Sequence, residues 1–184
     1  MFFRSGNIGL AYLGLGDAKK AKGYHECQLR IAQSVGDRIG VAKAHFFLGC
    51  SFELLGSLEC SCDCYQSSVK VLNEVRADLQ FKDEWKISLR HRFQTVYTRL
   101  WALLLKLGKI PEALLSAERG RSQALKDLIE FKYGLTQTSF DFCSVIDIIP
   151  GTFSRLPLVF IAVQGNEITF WIVKNGKEDR KSVV

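Results

Sequence analysis

Two stretches of this chain repeat each other. IGLAYLGLGDAKKAKGYHECQLRI from Ile8 and LGCSFELLGSLECSCDCYQSSVKV from Leu48 align without a gap at an offset of 40 residues. Ile8 matches Leu48, Gly9 matches Gly49, Tyr12 matches Phe52, Leu15 matches Leu55 and Gly16 matches Gly56. Farther on, Ala21 matches Ser61, Leu29 matches Val69 and Ile31 matches Val71. Each pair keeps its physical type: small, aromatic or aliphatic. Ile8, Tyr12 and Leu15 share one helical face. Gly16 then ends that helix and Asp17 caps the next. A small residue at Ala21 or Ser61 lets the second helix come close to the first. Such a helix-turn-helix unit cannot bury its apolar face alone, so the units must stack.

A third unit follows in RLWALLLKLGKIPEALLSAERGRSQAL, with Gly108 at the turn and Ala113 at the small position. Gly108 lies 52 residues after Gly56, so about 12 residues are inserted relative to the first spacing. They fall around DLQFKDEWKISLRHRF and extend one helix into the next. Trp101 stands where the first two units have Gly9 and Gly49, which marks an atypical end unit.

These residues resemble the tetratricopeptide repeat: a small residue, an aromatic, glycine at the turn and a small residue in the second helix. The 40-residue period resembles the longer variant whose repeats are separated by a Gly-Asp-Arg turn, and VGDRIG at Val35–Gly40 fits it. The resemblance implies a mostly α fold, a solenoid of about three helix pairs over units 5–36, 38–76 and 92–130 within residues 1–133. It also implies that the first helix of each unit lines a concave groove that holds a peptide or helix of a partner. The groove positions are then Leu10 and Leu13 in unit one, Lys43, Phe46, Cys50 and Glu53 in unit two, and Thr98, Ala102 and Lys106 in unit three. Phe46 is the apolar anchor, and Lys43 and Lys106 select charge. Phe46 and Leu13 are equally placed to pack against the neighbouring unit instead.

The totals agree with a folding globular chain. Hydrophobic residues make up 47% and charged residues 24% of 184 positions, and only 3 prolines interrupt them. The formal net charge of +6 is scattered along the chain, as on solvated helix faces. Nucleic-acid binding would need that charge gathered on one face beside stacking aromatics, so the scatter argues against it. The richest apolar run, Leu100 to Leu105, is bracketed by Arg99 and Lys106 and is too short for a membrane span. The apolar start, MFFRSGNIGLAYLGLG, has a weak signal-peptide look, but the repeat gives it a helical role.

The 6 cysteines mostly fall within helical pattern and point to reduced thiols in the cytoplasm. Cys60, Cys62 and Cys64 sit in the second helix of unit two. Cys60 and Cys64 share a face there while Cys62 points away, so the three cannot converge on one tetrahedral zinc. Cys64 reads as a small buried hydrophobe and the other two as ordinary thiols. No metal or cofactor is expected.

After Gly134 the composition changes. Residues 134–155 read as a linker. Residues 156–184 read as a β-hairpin, LVFIAV and ITFWIV joined by QGNE. The first strand is apolar at every position, so both its faces call for burial, and its open edge invites self-association. The helix, linker and hairpin resemble the junction between a repeat array and a CHAT domain, a caspase-like region, whose remainder would lie outside this chain. Active members of that family use a His and a Cys on later strands. Here His25, His45 and His91 all lie in the helical part and Cys143 in the linker, so that chemistry does not carry over. Nor does the chain contain a phosphate-binding loop, H-E-x-x-H or G-x-S-x-G signature. The expectation is a non-catalytic protein-interaction scaffold. The alternative is a regulatory or substrate-recruiting part of a caspase-like protease.

Overall fold

A computed structural model of the chain describes residues 2–79, 83–120, 158–164, 167–174 and 177–183. They fall into two units, Met1–Leu103 and Leu104–Val184. The first unit contains α1 (Phe2–Gly14), α2 (Ala18–Ser34), α3 (Arg38–Leu54), α4 (Leu58–Asp78) and most of α5 (Asp83–Lys106). α1 packs on α2, α2 on α3 and α3 on α4, and α1 also touches α3.

The breaks between helices have one design. At Gly16 the backbone turns left-handed, with φ 76°. Gly16 N–H donates to the Leu13 carbonyl and Asp17 N–H to the Tyr12 carbonyl. That pair of bonds satisfies carbonyls which a helix end otherwise leaves open, and only glycine takes the required φ without strain. The same bonds recur after Gly36, Gly56 and Gly108. The next helix then starts on a side-chain cap: Asp17 accepts from Lys20 N–H at 3.1 Å and Asp37 from Gly40 N–H at 2.9 Å. Ser57 occupies the third such position without a side-chain cap bond.

Small residues set how closely the helices approach. Ala21, Ala32, Ala42, Ala44 and Ser61 are fully buried. Beyond them the core continues through Ala42, Leu72, Phe93 and Val96, with Ile39, Val69 and Leu89 packed around it. The inserted residues lengthen both helices that flank them: α4 has 21 residues and α5 24, where α2 and α3 have 17 each.

In α4 the cysteines differ from expectation. Cys62, not Cys64, is the buried one; Cys64 is half-buried and Cys60 exposed. The buried face of α4 runs through Ser61, Cys62, Tyr65, Ser68 and Leu72, and that phase turns Cys60 and Cys64 to its margin.

In the second unit, Gly108 ends α5 and α6 is described over residues 110–120, with Ala113 fully buried. The expected linker, 134–155, lies outside the described residues. A three-stranded antiparallel sheet follows, in the order β1 (Leu158–Gln164), β2 (Glu167–Lys174), β3 (Lys177–Val183). The expected hairpin is β1–β2, with Phe160 opposite Trp171. β3 was not foreseen: KEDRKSV has almost no apolar residue and no alternation to betray a strand, yet it pairs along β2. Both faces of β1 call for burial, and one of them stays open. Trp171 and Thr169 are buried, whereas Val159 and Ile161 are 54% and 48% exposed.

Glycines at two sites should respond oppositely to alanine. A Cβ on Gly49 would stand 2.6 Å from Cδ1 of Tyr65, while one on Gly23, within α2, meets nothing within 4 Å. Gly49→Ala should lose roughly 1–3 kcal/mol by overpacking. Gly23→Ala should gain up to about 1 kcal/mol from helix propensity. Urea denaturation of both variants measures this, and equal effects would refute the packing described.

Candidate functional site

The ring of Tyr65 on α4 lies over Gly49 of α3, and its hydroxyl emerges among polar groups. It donates to Glu53 Oε2 at 3.0 Å and approaches Cys50 Sγ at 3.4 Å. Arg99 of α5 reaches the same Glu53 oxygen at 3.2 Å. Glu53 therefore ties three helices together. Burial pushes the Tyr65 phenol well above its ordinary range, and it also raises the Cys50 thiol. Burial, aided by the Asp63 charge, pushes Cys64 up to about 11. Neither thiol is a thiolate at neutral pH, so neither is a ready nucleophile.

The expected groove residues divide by surroundings. On α1, Leu10 is 40% exposed and Leu13 half-buried. On α3, Lys43 is half-buried and has no ion pair among the described residues. Phe46 is partly buried against the core formed by Ala42, Leu72, Phe93 and Val96, 5.7 Å from the Tyr65 ring. Cys50 and Glu53 are joined by Tyr65 as above. On α5, Thr98 turns its hydroxyl back onto the Gln94 carbonyl at 3.1 Å, and Ala102 is half-buried. Lys106 is exposed and belongs to the second unit. Sequence reasoning missed Tyr65 and Arg99. Tyr65 was findable, because it follows Gly49 by the same 16 residues that separate His25 from Gly9. Arg99 lies 46 positions from Glu53 and carries no local signal.

Among the described residues, no group of three or more His, Cys, Asp or Glu could hold a metal ion. No described helix is long and apolar enough to cross a membrane.

No protein-family model matches the chain. It is 34% identical over 96 residues to tetratricopeptide repeat protein 28 of Mus musculus, and 35% over 95 residues to that of Homo sapiens. These matches take in 52% and 51% of this chain and 4% of each relative, so the chain spans a small part of the curated relatives it matches. Among solved structures, the TPR domain of Arabidopsis FLU aligns with a TM-score of 0.49 at 16% identity, over 69% of this chain and 93% of that one.

Two bonds to Glu53 differ in strength. Tyr65 is fully buried and its hydroxyl donates to a charged acceptor, a bond worth about 1.5–3 kcal/mol. The Arg99 side chain is 46% exposed, and such a pair contributes about 0–1 kcal/mol. Tyr65→Phe should therefore lower the unfolding free energy more than Arg99→Ala does. Chemical denaturation ranks them, and the reverse order would contradict the assignment.

Over about half its length, the chain is similar to a tetratricopeptide repeat protein.

Proposed function

We propose that the helical array is a protein-interaction scaffold that holds an extended or helical segment of a partner on the side formed by α1, α3 and α5. One observation carries this reading. The first helices α1 and α3 lie side by side, and they leave Leu10, Leu13 and Lys43 only partly covered. Stacked helix pairs present such first helices as a continuous surface. Apolar contact at Leu10 and Leu13 beside a cation at Lys43 suits a segment with an aliphatic anchor and a nearby carboxylate. Phe46 contributes by holding the surface in shape.

A second reading, recruitment of substrate to a caspase-like protease, has in its favour the three-stranded sheet that follows the array in sequence. Tetratricopeptide-like packing serves either reading in the same way, since both need the array to bind a peptide.

Peptides selected by display on the intact chain test the proposal. Lys43→Glu and Leu10→Asp should each weaken the selected peptides at least about tenfold, or about 1.4 kcal/mol. Lys70→Glu, at an exposed position of α4, should leave affinity unchanged. Fluorescence anisotropy reads the difference. Equal binding by all three variants would overturn the proposed surface.

A further inference from the structure

The two helix pairs use the same ring-on-glycine contact with different chemistry. His25 follows Gly9 as Tyr65 follows Gly49, and a Cβ on Gly9 would stand 2.5 Å from Cε1 of His25. Tyr65 carries its polar atom out to Cys50 and Glu53. The corresponding residues in the first pair are Leu10 and Leu13, so the far edge of the His25 ring has no such partner in register. His25 is fully buried. Its Nδ1 lies 3.2 Å from Gln28 Oε1, which assigns the proton to Nδ1, and its Nε2 is buried with no hydrogen-bond partner.

Among the described contacts of the ring there is no carboxylate to neutralise a second proton. From α1 the ring meets Gly9; from α3 it meets the face of Phe47, with ring centres 5.2 Å apart; on α2 it meets Gln28. The titratable residues described on these helices near its level are Lys22, Tyr24, Glu26 and Cys27 on α2, Tyr12 on α1, and Lys43, His45 and Cys50 on α3; what shifts the ring is burial and the Gln28 bond. Burial holds the ring neutral, and the Gln28 bond only partly opposes it.

We propose that the first helix pair is an acid-sensitive joint, in which protonation of His25 on acidification loosens α1 from α2 while the second pair stays closed. A neutral buried imidazole binds fewer protons than the same ring released to water. The closed seam therefore keeps its full stability above about pH 6.5, the ordinary histidine value, and loses it progressively as pH falls below that. The Tyr65 phenol does not change charge in that range, so the ring-on-glycine contact of the second pair lacks the response; His45 of α3, which burial also holds below its ordinary value, is the other histidine of that pair and is separated by its own variant below.

Hydrogen exchange on the full chain, corrected for intrinsic rates, tests this. Between pH 7 and pH 5.5, protection of α1 amides should fall by up to about eightfold, the most that one histidine of this kind allows. Protection in α4 should fall less. His25→Phe should abolish the difference. His45→Gln should preserve it, although His45 is itself half-buried with a partnerless Nδ1. A direct NMR titration of the His25 ring in the unaltered chain decides the matter even if His25→Phe fails to fold. A midpoint at or above 6.5, equal loss of protection in α1 and α4, or a loss that persists in His25→Phe would overturn the proposal.

Discussion

The array depends on how closely the second helix of each pair approaches the first. At Gly9 and Gly49 the first helix has no side chain, and the ring of His25 or Tyr65 fills that space. Glycine inside a helix costs about 1 kcal/mol relative to alanine. The ring burial it permits outweighs that: an aromatic side chain packed into such a slot is worth several kcal/mol. Hydrogen bonds reinforce the contact where they can. Ser61 Oγ donates to the Gly49 carbonyl and Ser68 Oγ to the Ala42 carbonyl, each at 2.8 Å and fully buried. These bonds hold α4 against α3 at two points along its length.

Because α3 belongs to both pairs, the pairs are not independent. Adjacent residues reach in different directions from it: Phe47 stacks on His25 of α2, and Phe46 packs toward Tyr65 of α4. The two phenyl rings are themselves 5.1 Å apart. A shift of α2 against α3 thus presses on the aromatic column that also seats α4. Across the turns, Lys22 lies 4.9 Å over the Phe52 ring, and Arg38 pairs with Glu74 and Asp78. These exposed contacts add little energy. Their place is to bias the orientation that the buried rings already set. The surface made by α1 and α3 keeps its shape only as far as this column does.

The turns and the helix pairing were legible in sequence because they depend on local chemistry. Gly16, Gly56 and Gly108 mark bends that glycine alone makes without strain, and Asp17 caps in the way its position suggests. The role of Phe46 was half legible: its helical position admits both a groove and a core, and it lies partly buried against Leu72 and Phe93. The Tyr65–Glu53–Arg99 cluster was hidden because it joins residues from three helices. β3 was hidden because a charged edge strand has no hydrophobic period to detect. In the third unit the residue types trade places in sequence, with Trp101 at the glycine position and Ala117 at the ring position. A pattern search keyed to glycine misses that exchange, although it conserves the sum of large and small.

A double-mutant cycle on Gly49→Ala and Tyr65→Ala measures the ring-on-glycine contact itself. If the ring fills the space above the glycine, the added methyl should destabilise the chain strongly with Tyr65 present and little or not at all once the ring is removed, giving a coupling of about 1–3 kcal/mol. Additive effects of the two substitutions would mean that the helices do not meet there, and the account of how the pairs close would fail.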